Sequence, residues 1–302
     1  MTTGDFGTSV DRALEVLRNG GLVAIPTETV YGLAADASQE AAVRRIFEAK
    51  GRPVDHPLIV HVATPAQLPD WAASVPPAAA RLAESCWPGP LTLLVPKAAH
   101  VLSLVTGGRD TVGIRVPAHG LATELLSRFG GGVAAPSANR FGKVSPTTAQ
   151  HVALDLGGRV DYILDGGPCP VGVESTIVDC TVEPPQVLRP GGITAETIEA
   201  LLDTPLAPAS GPSRAAGMLA SHYAPAAKVL LAESPEHARA LAAGHAGAWV
   251  LDRTDDLVAY ARLLYADLRA ADERGVRTVI AVLPPAAGLG HALRDRLTKA
   301  AA

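Results

Sequence analysis

The feature that most constrains the fold is a series of short, β-branched apolar runs at residues 22–25, 58–62, 91–95, 112–116, 133–135, 162–164, 176–178 and 187–188. Such runs are too short for helices and apolar on both faces, so they read as buried strands. Amphipathic segments lie between them. Residues 10–17 place Val10, Ala13, Leu14 and Leu17 on one face, and residues 40–49 do the same with Ala41, Val43, Ile46 and Phe47. Two more helices are expected over 148–156 and 194–202, the latter opening on Thr194-x-x-Thr197 as an N-cap variant. Strands and helices do not alternate strictly, which favours a large twisted mixed α/β sheet over a regular repeat.

Composition agrees with a packed core. Hydrophobic residues make up 48% of the 302, charged residues 19% and aromatics 4%, so aliphatic side chains must fill the interior. The clearest break is Pro205-Leu-Ala-Pro-Ala-Ser-Gly-Pro-Ser213. It separates a domain at 1–204 from a linker at 205–227 and a small three-layer α/β domain at 228–302. In the last, strands are expected at 228–231, 248–251 and 278–283, with helices at 235–242, 255–274 and 291–301. The net charge of −4 excludes a generally basic nucleic-acid binder, and residues 1–206 hold 15 Lys+Arg against 21 Asp+Glu. Cys86, Cys169 and Cys180 show no metal-binding spacing and read as reduced, buried thiols. With no apolar span of membrane length and no leader at the N-terminus, the expected location is the cytoplasm.

Three polar motifs stand where strands end: Pro26-Thr-Glu-Thr-Val-Tyr-Gly32, Lys50-Gly-Arg-Pro53 and Pro136-Ser-Ala-Asn139. Ligands of open α/β sheets bind at such edges, and cations beside small donors suit phosphate oxygens. If extended, the first motif turns Thr27, Thr29 and Tyr31 away from Glu28. Gly51 is the expected C-cap of the preceding helix, where Lys50 and Arg52 can also simply complement the helix dipole. His61 ends a buried strand, and Arg115 sits inside one. A cation there needs a partner: either an anionic ligand or a carboxylate from elsewhere in the chain. Ser137 and Asn139 offer hydroxyl and amide groups ahead of Ser145, Glu174-Ser175-Thr176 opens another strand, and Arg189 ends one more. No phosphate loop, no zinc-ligand spacing and no nucleophile–base set is present.

These motifs, with Trp87-Pro-Gly-Pro-Leu-Thr92, Gly113-Ile-Arg-Val-Pro117, Ser145-Pro-Thr147, Leu188-Arg-Pro-Gly191, Gly217-Met218, Ser221-His-Tyr-Ala-Pro225 and Arg294-Asp-Arg296, resemble the two-domain threonylcarbamoyl-AMP synthase family over nearly the whole chain. The resemblance implies a YrdC-like domain with an open concave cleft, a linker that closes over it, and a Rossmann-like second domain. It implies condensation of L-threonine, bicarbonate and ATP to L-threonylcarbamoyl-AMP and pyrophosphate, a nucleotidyltransferase reaction with Mg²⁺ carried by the ATP phosphates and no metal held by the protein. The product would feed a tRNA threonylcarbamoyl-transferase complex that makes N6-threonylcarbamoyladenosine, with weak tRNA contact at most.

Carried over by position, the implied threonine-binding residues are Thr29, His61, Arg115, Ala135 and Ser175. Those implied for ATP are Arg52, His56, Thr111, Ser137, Asn139, Ser145, Arg189 and Tyr223. Lys50 and Arg52 are the implied electrostatic catalysts, with no general base. The expected site is thus two adjoining pockets, one for an amino-acid carboxylate and one for ATP. Two positions depart from the family pattern: Ala216 replaces a linker proline, and His56 stands where Asn is common. The competing readings are a non-catalytic RNA-binding or ribosome-associated YrdC-like module, and carbamoyl transfer in hydrogenase maturation. The acidic balance of residues 1–206 weighs against the first, and the lack of zinc-finger and acylphosphatase modules against the second.

Overall fold

The computed structural model describes residues 5–208 and 223–302. The linker motifs Gly217-Met218 and Ser221-His222, and the Ala216 departure, lie outside the described residues. Ten strands form one mixed sheet: β1 (Asp5–Gly7), β2 (Val23–Ile25), β3 (Gly32–Asp36), β4 (Ile59–His61), β5 (Leu91–Pro96), β6 (Thr111–Arg115), β7 (Val133–Ala134), β8 (Tyr162–Leu164), β9 (Thr176–Asp179) and β10 (Gln186–Arg189). Their order is β1-β8-β2-β3-β7-β4-β6-β5-β9-β10. Three parallel strands, β11 (Lys228–Ala232), β12 (Trp249–Leu251) and β13 (Thr278–Val282), form the second sheet with β13 in the middle.

The runs expected to be strands are strands, and the cap signals act as read; in the helix Glu40–Lys50, however, the buried face carries Ala42 rather than Ala41, which is exposed. Thr148 and Thr194 each accept the backbone N–H three residues on, at 3.2 Å, and open the helices Ala149–Leu156 and Ala195–Leu202. Gly51 ends the helix Glu40–Lys50 in the left-handed region, at φ 63°. The first motif is different from its extended reading. Residues 26–31 form a turn between the antiparallel strands β2 and β3, because the Thr27 hydroxyl makes the local bonds itself. It donates to Val30 O at 2.6 Å and accepts the N–H groups of Thr29 and Val30 at 3.2 Å each.

Register decides what faces the site. In the parallel pair β4/β6, His61 lies opposite Arg115, so both end at one edge of the sheet. Thr111 opens β6 and lies four residues, roughly 13 Å, back along the strand. The two domains share one apolar cluster: Val30, Val144 and Val173 pack with Tyr223, Tyr265, Leu268 and Leu297. Among the described residues no helix is long and apolar enough to cross a membrane.

Candidate active site

The edge of the large sheet encloses a cavity of about 50 Å³. Its wall includes Thr29, Arg52, His61, Arg115, Ala135, Ser137, Ser175, Arg189 and Tyr223, nine of the residues expected to bind ligand. Five expected residues stand outside it: Lys50, His56, Thr111, Asn139 and Ser145. Among the described residues, the whole set expected for threonine lies in this cavity together with Arg52, Ser137, Arg189 and Tyr223 of the set expected for ATP. A larger groove of about 580 Å³ runs between the helix Ala149–Leu156 and Arg269, and none of the expected ligand-binding side chains lines it.

At one end the groups suit an amino acid. His61 Nδ1 lies 3.3 Å from Ile59 O. A carbonyl only accepts, so Nδ1 carries the proton and Nε2 is left as an acceptor. Burial, reinforced by Arg115, pushes the imidazole down to about 3, so the ring is neutral. Thr27 has given its one proton to Val30 O, so the 2.9 Å contact between the two hydroxyls is donated by Thr29. Thr29 then offers lone pairs to its surroundings. The same cavity wall carries the Arg115 guanidinium, only 4% exposed, beside His61 in the strand register. Two acceptors and one cation in one cavity match the ammonium and carboxylate of a free amino acid.

Arg115 also has the internal partner that the sequence left open: Glu28 Oε1 is 2.7 Å from its Nη2. Glu28 Oε2 in turn accepts the Ala118 N–H at 3.0 Å. Arg115 Nε adds a bond to Gly89 O at 3.3 Å, so the fork is held in one orientation.

At the other end the groups suit phosphate. Arg52 donates from Nη2 to Pro57 O at 3.0 Å, while its buried Nε has no hydrogen-bond partner among the described residues. Burial lowers its guanidinium to about 10, so it remains charged at neutral pH. Arg189 grips the other side, donating from Nε and Nη2 to Ser175 O at 3.0 and 2.9 Å and from Nη2 to Ser175 Oγ at 3.1 Å. Gly191 permits this approach, since a Cβ there would lie 2.3 Å from Glu174 O. The residues outside the cavity brace it. The Lys50 ammonium donates to Ser137 O and Asn139 O, each at 2.5 Å. Burial, then the neighbouring Arg52, pushes its pKa well down. Asn139 Nδ2 donates to Arg140 O and Lys143 O at 2.8 and 2.7 Å. His56 packs edge-on to Phe141, whose ring also lies under Arg52.

The side chains that sequence reasoning gave no role are Thr92, Glu174, Tyr265 and Arg296. Thr92 Oγ1 is 2.7 Å from Ser175 Oγ. Glu174, on the cavity wall, accepts from Ser145 Oγ at 2.6 Å, Tyr265 OH at 2.8 Å and Arg296 Nε at 2.7 Å. Burial alone would raise its carboxyl, but Arg296, Arg189 and these bonds hold it down to about 2. Ser145's only proton is therefore committed to Glu174, which leaves Ser145 able to accept from a sugar hydroxyl but not to donate to a phosphate. The signal for this cluster was an Arg at 296 on an otherwise apolar helix face beside Leu293 and Leu297.

Residues 15–191 match the family described as Telomere recombination, and residues 193–302 match that described as Threonylcarbamoyl-AMP synthase, C-terminal domain. Threonylcarbamoyl-AMP synthase of Pyrococcus abyssi is 43% identical, the match covering 94% of this chain and 91% of that one. The protein of the same name from Bacillus subtilis is also 43% identical, over 97% and 92%. The crystal structure of P. abyssi Sua5 complexed with L-threonine superposes with a TM-score of 0.93 at 40% identity, covering 100% of this chain and 98% of that one.

Proposed function

The chain belongs to the two-domain threonylcarbamoyl-AMP synthase family, and on that premise we propose that it condenses L-threonine, bicarbonate and ATP into L-threonylcarbamoyl-AMP and pyrophosphate. The observation that carries this reading is the pairing of acceptors on His61 and Thr29 with the guanidinium of Arg115, in one cavity with Arg52 and Arg189. It is a site for an amino-acid zwitterion beside a site for an anion.

The nucleophiles belong to the substrates. The threonine amine attacks the carbon of bicarbonate and water leaves, giving a carbamate. A carbamate oxygen then attacks the α-phosphorus of ATP and pyrophosphate departs, which makes the reaction a nucleotidyl transfer. Arg115 holds the threonine carboxylate, while His61 and Thr29 orient the amine. A histidine held at about 3 is too weak a base to take the amine's proton, so His61 acts as an orienting acceptor. Arg52 and Arg189 face the charge that grows on the departing pyrophosphate. Lys50 acts on the same step by fixing the carbonyls of Ser137 and Asn139.

Mg²⁺ would ride on ATP. Among the described residues no group of three His, Cys, Asp or Glu side chains is placed to hold a metal, and the cavity's Glu174 is already taken up by Arg296, Tyr265 and Ser145. The wall that carries Tyr223 would close over bound ATP and exclude water from a carbamate that decomposes readily. The unpaired Cys86, Cys169 and Cys180 suit a cytoplasmic location. The product would pass to a tRNA threonylcarbamoyl-transferase complex.

The deciding measurement is pyrophosphate release with each substrate left out in turn. Release should require both threonine and bicarbonate, and an undiminished rate without threonine would overturn the reading.

A further inference from the structure

The second domain reaches the candidate site through two side chains. Arg296 is 1% exposed, and its Nε donates to Glu174 at 2.7 Å. Tyr265 is fully buried and its hydroxyl donates to the same carboxylate oxygen at 2.8 Å. The Arg296 guanidinium also lies 5.2 Å from the centre of the Tyr223 ring, which stacks on Tyr265 at 5.5 Å. Glu174 and Tyr223 both line the cavity, whereas Arg296 and Tyr265 do not.

A buried ion pair is weak evidence for stability, since an apolar pair of similar volume often does as well. The position of this pair points elsewhere. Glu174 adjoins Ser175, whose carbonyl and hydroxyl are both gripped by Arg189. An ionised Glu174 without Arg296 would still face Arg189, the other cation that already helps hold Glu174 ionised. A carboxylate joined to Arg189 would compete directly with phosphate for the same fork.

We infer that Arg296, helped by Tyr265, is a positioning residue for the nucleotide end of the site: it saturates Glu174 so that this carboxylate does not capture Arg189. The inference rests on the reading of Arg189 as an ATP contact. It assigns the second domain a part in substrate binding, exerted through Glu174 and without contact to substrate.

The test is calorimetric ATP binding, with steady-state kinetics alongside, on the full chain carrying Arg296→Met, Tyr265→Phe, Glu174→Gln, and Arg296→Met with Glu174→Gln. For Arg296→Met the ATP Kd and KM should rise roughly tenfold or more, the scale of one lost charge-assisted bond. The threonine KM should change less than about twofold, since Arg115 and His61 are untouched. Adding Glu174→Gln should return the ATP Kd most of the way, because a neutral amide does not compete for Arg189. Tyr265→Phe keeps the ring stack and should weaken ATP a few-fold in the same direction.

Equal losses for ATP and threonine, or no recovery on adding Glu174→Gln, would overturn the inference. Where Arg296→Met does not fold, Tyr265→Phe decides, and an unchanged ATP Kd there sinks it. Wild-type protein that binds ATP yet releases no pyrophosphate would refute the synthase reading and leave this one standing. Wild-type protein that binds no ATP ends both.

Discussion

Arg115 and Glu28 form a buried ion pair, 2.7 Å apart and each at most 5% exposed, at the edge where the sheet meets the cavity. Glu28 holds the guanidinium in place, and its other carboxylate oxygen accepts the Ala118 N–H at 3.0 Å. Arg115→Ala should therefore do two things at once. Removing the cation leaves a buried carboxylate unpaired, at a cost of about 3–5 kcal/mol in stability. It also removes the carboxylate anchor for threonine, raising its KM by the equivalent of about 2–4 kcal/mol with little change for ATP. Pairing Arg115→Ala with Glu28→Gln separates the two effects. Denaturant melts should recover while the threonine KM stays high, and an unchanged threonine KM in either variant would refute the anchoring role.

Lys50 is expected to act on the loop rather than on ATP directly, since its ammonium already meets two carbonyls. Lys50→Met leaves Ser137 O and Asn139 O without that donor, which should destabilise the protein by about 1–3 kcal/mol. The ATP KM should rise with it, because Ser137 lines the cavity. A variant that melts like wild type while losing turnover would instead mean that Lys50 touches the phosphates.

Much of this architecture could be read from the chain. β-branched runs became strands, and Thr148, Thr194 and Gly51 ended or opened helices by local chemistry that needs no tertiary context. β3 was missed because Gly-Leu-Ala-Ala-Asp has no β-branched residue; its place between β2 and β7 makes it a strand. The helices Pro77–Cys86 and Gly120–Phe129 were missed too, their alanine-rich and short apolar faces giving a weak period. At the site, the types of side chain were legible while their pairing was not. Arg115 visibly needed an anion, yet nothing local says that it is Glu28, and Arg296 lies 122 residues from Glu174. Thr111 lies on the right strand, at its far end from the cavity.

Acid should unfold this protein in a way that His61 makes visible. Its folded-state value of about 3 lies below the ordinary 6.5. Between those limits the unfolded chain binds a proton that the folded one refuses, so stability falls as pH falls. His151, held down to about 4 by burial and Arg269, acts in the same direction. Glu174, at about 2 against the usual 4.5, adds its loss only below about pH 4.5. His61→Gln should remove about 1.4 kcal/mol per pH unit from the slope of unfolding free energy between about pH 6 and 4.5. Denaturant titrations at several pH values read this directly, and an unaltered slope would show that His61 is protonated in the folded protein.

Tyr223 gives the sharpest test of the cavity wall. It holds φ 63°, a region costly for a side chain of its size, and its ring is 1% exposed between Tyr265 and Arg296. Burial lifts its hydroxyl to about 12, so it stays protonated at working pH. Tyr223→Ala should cut turnover at least about tenfold, as expected for loss of a positioning contact, while far-ultraviolet circular dichroism stays that of a folded protein. Tyr223→Phe keeps the stack and removes only the donor, so its smaller loss measures the hydroxyl alone. Cutting the chain before Gly211 would be a poorer test. It would strip Val30, Val144 and Val173 of the apolar cluster they share with the second domain, and so confound loss of the wall with loss of packing. Full activity in Tyr223→Ala would show that the wall has no part in turnover.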